Sequence, residues 1–175
     1  ALPASDGAVT VDVQRLLNEA LPQILAANPE KLAEINAKLD EIRTRSGLDV
    51  RQFEQIAIGI AFRGKTADPV ILARGRFSAA ALLTGARLAL KDKFREEKIG
   101  DKTVYVFSAK EILAEHKAGA ASGSKANKII DFIFNKMPAE IAVTSYDANT
   151  LAIGSPARVR ETFESKAKIN AGVLA

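Results

Sequence analysis

The sequence has no cysteine and no tryptophan, and its 175 residues include one histidine, His116. Without cysteine there are no disulfides, no thiolate metal ligands and no cysteine nucleophile. One histidine cannot build a multi-histidine centre within a single chain. No metal and no cofactor are therefore expected. Long hydrophobic runs are also lacking: nothing approaches the ~18 uninterrupted apolar residues of a membrane-crossing helix. No basic segment followed by an apolar one, as in a signal peptide, opens the chain, which begins Ala1-Leu2-Pro3.

What is present is a globular composition. Apolar residues make up 47% and charged residues 26%, too apolar for a disordered chain. The length suits one domain. The net charge is +4, and the surplus lies in residues 47–110, with 12 basic against 7 acidic residues. Acids interleave those bases, as in Lys91-Asp92-Lys93-Phe94-Arg95-Glu96-Glu97-Lys98. A nucleic-acid face would be a stripe of one sign. A basic nucleic-acid-binding module is therefore an alternative that ranks behind an ordinary solvated mixed-charge face.

Periodicity divides the chain. Residues 1–10 are small and polar and read as a frayed entry. Val11–Ala27 reads as a helix with Val13, Leu16, Leu17, Leu21, Ile24 and Leu25 at helical spacing, interrupted by Pro22. Asn28-Pro29-Glu30 opens a second helix: Asn caps it, Pro takes the first position and Glu sits in the first turn. Leu32, Ile35, Leu39 and Ile42 follow on one side of it, and Asp49 caps a short turn.

The period then changes. Gln55–Phe62 and Pro69–Phe77 are β-rich runs joined by a polar glycine-containing stretch, which predicts a hairpin. Ser78 caps a helix running through Leu83 and Leu90 to Phe94. Thr103–Ser108 is a third strand. Residues 109–138 read as a helical insertion, Lys110–Ala118 and Lys125–Met137 flanking the flexible loop Gly119–Ser124. Glu140–Tyr146 and Thr150–Gly154 flank a tight turn, and Ser155-Pro156 opens the last helix, with Val159, Phe163 and Ala167 as its buried stripe.

Together these predict one α+β domain over residues 1–175: a helical N-terminal segment (1–54), two sheet-helix units (55–108 and 139–168) and the insertion. The sheet has about five antiparallel strands with helices packed on one face. Ile56-Ala57-Ile58 and Leu72-Ala73-Arg74-Gly75 are echoed by Ile141-Ala142-Val143 and Leu151-Ala152-Ile153-Gly154. Both pairs precede a helix, a possible strand-strand-helix repeat.

Leu2-Pro3-Ala4, Gly47-Leu48-Asp49, Ala73-Arg74-Gly75-Arg76-Phe77, Gly100-Asp101-Lys102-Thr103-Val104-Tyr105 and Leu151-Ala152-Ile153-Gly154-Ser155, taken in order, resemble exported bacterial proteins of unknown function of the acidobacterial type. The resemblance implies a removed signal peptide, a periplasmic or extracellular address and a helical opening followed by sheet-and-helix units. It carries no activity and no site residues.

Gly59-Ile60-Ala61-Phe62-Arg63-Gly64-Lys65-Thr66 matches the pattern of a phosphate-binding loop. That chemistry needs a helix beginning at the lysine. Here Ala67-Asp68-Pro69 and a further strand follow, so a nucleotide-binding enzyme using Gly64, Lys65 and Thr66 is the second alternative. Ser122 and Ser165 each stand three residues before a lysine, without the partner motifs of acyl-enzyme chemistry. His116 lacks an identifiable orienting acid. No catalytic residue is assigned. Arg74 and Arg76 are two apart in a strand and so share a face; their guanidinium groups can hold a carboxylate or phosphate. The function expected is non-catalytic, binding or structural, with a protein partner or a second copy as the partner class.

Overall fold

A computed structural model of the protein describes residues 1–46, 48–64, 66–90, 93–109 and 138–164. The described strands form one seven-stranded sheet, antiparallel throughout. They are β1 (Gly7–Asp12), β2 (Phe53–Arg63), β3 (Thr66–Gly75), β4 (Phe94–Ile99), β5 (Lys102–Ser108), β6 (Glu140–Asp147) and β7 (Thr150–Gly154), in the spatial order β1-β2-β3-β7-β6-β5-β4. The expectation of five strands is therefore corrected to seven, and both additions are edge strands. β1 occupies what reads as a frayed entry and the start of a helix. β4 begins at Phe94, where the α-helical reading of residues 78–94 is still running.

The helical elements are α1 (Val13–Arg15), a π-helical turn (Leu16–Ala20), α2 (Leu21–Ile24), α3 (Pro29–Ser46), a 3-10 turn (Val50–Gln52), α4 (Ala79–Leu90) and α5 (Pro156–Glu164). The helix interruption expected at Pro22 is present: the π-helical turn, closed by Leu21 N–H donating to Leu16 C=O, leads into α2. Proline has no N–H to offer the helical ladder, so a widened turn at this point is the physical consequence. The caps read from sequence are in place. Asn28 Oδ1 accepts from Lys31 N at 3.1 Å, Asp49 Oδ1 from Arg51 N at 3.0 Å, Ser78 Oγ from Ala81 N at 3.2 Å and Ser155 Oγ from Arg158 N at 3.2 Å.

The expected β2–β3 hairpin closes at the Arg63–Thr66 pair, with Gly64 at φ 67°. This is the left-handed conformation that a two-residue hairpin turn demands and glycine supplies. The polar linker is thus shorter than residues 63–68, and its outer half belongs to β3. Pro69 sits inside β3, although β3 is a central strand. β7 pairs β3 only from Val70 onward, so no sheet bond is lost to the missing N–H.

Helices cover both faces of the sheet, which corrects the expectation of one. Strand alternation sends Ile71, Ala73, Leu151, Ile153 and Val143 to one side, where they meet Phe77, Ala79 and Leu83 of the α4 region and Val13, Leu17, Leu48 and Val50 of the N-terminal helices. The alternate residues Val104, Val106 and Ala142 face the other side and pack on Val159 and Phe163 of α5. A run such as Leu151-Ala152-Ile153 is apolar on both sides because both sides are buried.

α3 is the exception to burial. Leu32, Ile35 and Leu39 are only half-buried and Ile42 is exposed. The side chain of Arg51, ion-paired to Asp40 at 2.7 Å, ties the helix to the body. The readings that fall at His116, Ser122 and Ser165, on the helices 110–118 and 125–137 and on the loop between them lie outside the described residues, as does Lys65.

Candidate binding cleft

The site is built where β3 turns into α4. Gly75 ends the strand under close contact: a Cβ there would stand 2.3 Å from Gln52 C=O and 2.6 Å from the Phe77 ring. Only glycine lets the chain pass. Arg76 N–H donates to Gln52 C=O at 2.8 Å, Gly75 N–H to Asn149 C=O at 3.1 Å and Ala79 N–H to Ala148 C=O at 2.9 Å. The Asn149 side-chain amide donates to Phe77 C=O at 2.8 Å, and Asn149 N–H is itself held by Asp147 Oδ1 at 2.9 Å. The turn between β6 and β7 thus fixes the corner from which α4 departs. Phe53 and Phe77 stack edge to face beneath it, ring centres 5.0 Å apart.

α4 leaves this corner and crosses toward β6 without sealing against the sheet. A cleft of about 580 Å³ lies between them, with Leu48, Phe77, Leu82, Leu83, Val143 and Leu151 on its walls. Gly85 and Ala86 also line it, and a Cβ built on Gly85 meets no atom within 4 Å. A second space of about 230 Å³ continues it along α4, walled by Tyr105, Phe107 and Ile141 and sharing Leu83, Ala86 and Val143. The volume and the apolar walls are those of small-molecule sites, which add a few polar groups to fix orientation. Here those groups are Gln52, Ser78 and Arg76. The Arg76 side chain is 69% exposed, and its nearest acid, Glu54, is 3.8 Å away.

The two arginines singled out in the sequence do not act together. Arg74 lies within β3, opposite Gln55 and Thr150, on the face that carries Val70 and Leu72. Arg76 lies one residue past the strand end, at the rim of the cleft on the α4 side. The backbone turn at Gly75 breaks the alternation on which a shared face depended. Among the described residues Arg74 makes no ion pair.

The segment matching the phosphate-loop pattern is the end of β2, the hairpin turn and the start of β3, with its backbone committed to cross-strand pairing from Gly59↔Val70 to Arg63↔Thr66. No helix begins there. Among the described residues no cluster of three or more metal-ligating side chains occurs, and no helix is long and apolar enough to cross a membrane. The bases of the middle segment are dispersed among acids: Arg63 meets Asp68 and Glu161, Arg87 meets Glu96, and Arg95 meets Glu97 and Glu140.

Sequence reasoning missed the cleft because its walls are ordinary core residue types. The signal available was the small-residue content of α4, Ala79-Ala80-Ala81 and Gly85-Ala86, which leaves room against a sheet. No protein-family model, no curated protein and no solved structure matches the chain.

Proposed function

We propose that this chain is a non-catalytic binding domain that takes a small amphipathic anion in the cleft beneath α4. The apolar part of such a ligand lies along Phe77, Leu82, Leu83 and Val143, and its carboxylate or phosphate reaches Arg76. The observation that carries this reading is the conjunction of an apolar space of about 580 Å³ with an exposed guanidinium at its rim. The apolar walls contribute affinity through buried area, and the arginine fixes orientation by a charge-assisted bond.

Displacement of a fluorescent fatty acid by laurate tests it. The full chain should bind saturably. Arg76→Ala should weaken binding by about tenfold, the effect of ~1.4 kcal/mol. Ala86→Leu, which fills the cleft, should abolish it while leaving the circular dichroism spectrum intact. Absence of saturable binding, or an Arg76→Ala variant that binds equally well, would remove the reading.

A periplasmic or extracellular address belongs to the same proposal, supported by the resemblance to exported bacterial proteins; fractionation of tagged cells tests it. So does an origin by duplication. Leu72 pairs Ala152 and Ala73 pairs Leu151, so the two Leu-Ala words lie side by side on neighbouring strands, with Leu72 and Leu151 on opposite faces of the sheet. Ile56 pairs Ala73 while Thr144 pairs Ala152, so Ile56 corresponds to Thr144, and the Ile-Ala-Ile echo at Ile141 is out of that register. Support for the repeat therefore rests on the Leu-Ala words as sequence and on their place in the strand before each helix, not on a symmetric pairing.

A further inference from the structure

The two edges of the sheet are unlike. β4 carries four consecutive charges, Arg95-Glu96-Glu97-Lys98, between Phe94 and Ile99. Charged edge strands resist pairing with another chain. β1 has no such protection: Gly7-Ala8-Val9-Thr10-Val11 contains neither charge nor proline, and Asp12 comes only at its end. Its inner side pairs β2 over all six residues, and among the described residues no strand pairs its outer side, which carries a row of backbone donors and acceptors.

The side chains beside this edge are also uncovered. Val9 is 55% exposed. It stands opposite Ile58, and Val11 opposite Ile56, on the same face as the α4 cluster. The N-terminal helices reach that face at Val13 and Leu17, beyond the end of β1. Val9 and Ile58 belong to neither core cluster.

We propose that β1 is the interface for a second copy of this chain, the two β1 strands pairing antiparallel about a two-fold axis perpendicular to the sheet at Thr10. This axis keeps matching faces together. It sets Thr10 against the second copy's Thr10, and Val9 against the second copy's Val11, twice over. Exposed Val9 and half-buried Val11 then each gain a β-branched cross-strand neighbour. The register is selected by charge and by strand length: an axis through Val11 would pair only Thr10–Asp12, because α1 begins at Val13. An axis through Val9 would set Asp6 against Asp12 of the other copy, like charges directly opposite. The axis through Thr10 sets Asp12 against Ala8. The result is one continuous sheet across both copies, closed at its outer ends by the charged β4 strands.

The absence of cysteine makes the register directly readable. Opposed residues of an antiparallel pair have Cα atoms roughly 4.5–5.5 Å apart, within disulfide range. Thr10→Cys should form a disulfide-linked dimer on mild oxidation of the full chain. Val9→Cys should not, because position 9 faces position 11. Sedimentation of the wild-type chain should show a concentration-dependent dimer. Val9→Lys, at an exposed site, should weaken it more than about tenfold with an unchanged circular dichroism spectrum. A wild-type chain that stays monomeric at its highest soluble concentration overturns the proposal. So does a dimer that survives Val9→Lys, or crosslinking that is equal at positions 9 and 10. The reading of the cleft is independent of this result, since neither β1 nor Val9 touches it.

Discussion

Arg158 is the residue the sequence conceals most completely. It stands beside Val159 in a helix whose legible stripe is apolar, yet it is 1% exposed. Its guanidinium donates to Ala4 C=O at 2.8 Å, to Ser5 Oγ at 2.8 Å and to Glu161 Oε2 at 2.6 Å, while its Nε has no partner among the described residues. It thereby holds the first residues of the chain across the sheet at Gly59, where a Cβ would meet Ser5 Oγ at 2.5 Å. Helical spacing shows which positions face inward, but a charged side chain at such a position is satisfied only by groups far away in sequence. Arg158→Ala should cost about 1–3 kcal/mol, because it leaves Ala4 C=O and Ser5 Oγ without their donor, while Glu161 keeps Arg63. Urea denaturation measures that loss, and hydrogen exchange at residues 4–6 should rise with it. Gly75→Ala should cost about 1–3 kcal/mol, since the colliding atoms include backbone that cannot turn aside. Arg76 was legible as an anion-binding candidate; that Arg74 lies apart from it was not, because the bend at Gly75 depends on Gln52 and Phe77.

At the scale of elements, the five interior or well-paired strands were legible and the two edges were not. An edge strand satisfies one row of backbone groups with solvent and needs no continuous apolar pattern. Gly7–Asp12 is small, and Phe94–Ile99 is mostly charged, so each fits a frayed end or a helix equally well. The α4 boundary failed for the same reason. The edge at β4 is held by Arg95, whose guanidinium bonds to the Glu140 carboxylate at the start of β6 and holds that carboxyl below the usual range. A carboxyl depressed in the folded state stabilises above its unfolded pKa and loses that contribution as pH falls through the folded pKa. The stability gap between wild type and Glu140→Gln, read from denaturation midpoints, should therefore be present at neutral pH and close in acid. In α4, Gly85→Ala should stabilise the protein by about 0.5–1 kcal/mol, because helix propensity improves and the added methyl meets open space. A thermal melt decides it.

At the scale of the molecule, the α+β class and the apolar runs were legible, but not which face each helix covers. Leu72, Ile153 and Val143 read as one layer; alternation divides them between two. The α4 layer is the looser of the pair, with the cleft running through it. Leu83→Ala should cost about 2–3 kcal/mol, near the lower end for buried leucine, because the site already borders open volume. Chemical denaturation of that variant beside wild type measures it.

The strand order also governs how the chain can assemble. β1, β2 and β3 form from the first part of the sequence, β4, β5 and β6 from later residues, and the two groups share no strand contact except through β7. The anchoring bond from Asn149 to Phe77 spans 72 residues. During synthesis neither group can pair with the other until β7 is made, so the inner edges of β3 and β6 stay without their partner until this last described strand emerges. Contacts of such sequence separation make folding slow and leave unpaired edges exposed to other chains meanwhile. A chain stopped before Thr150 would keep most of its strands and still lack the one that joins them.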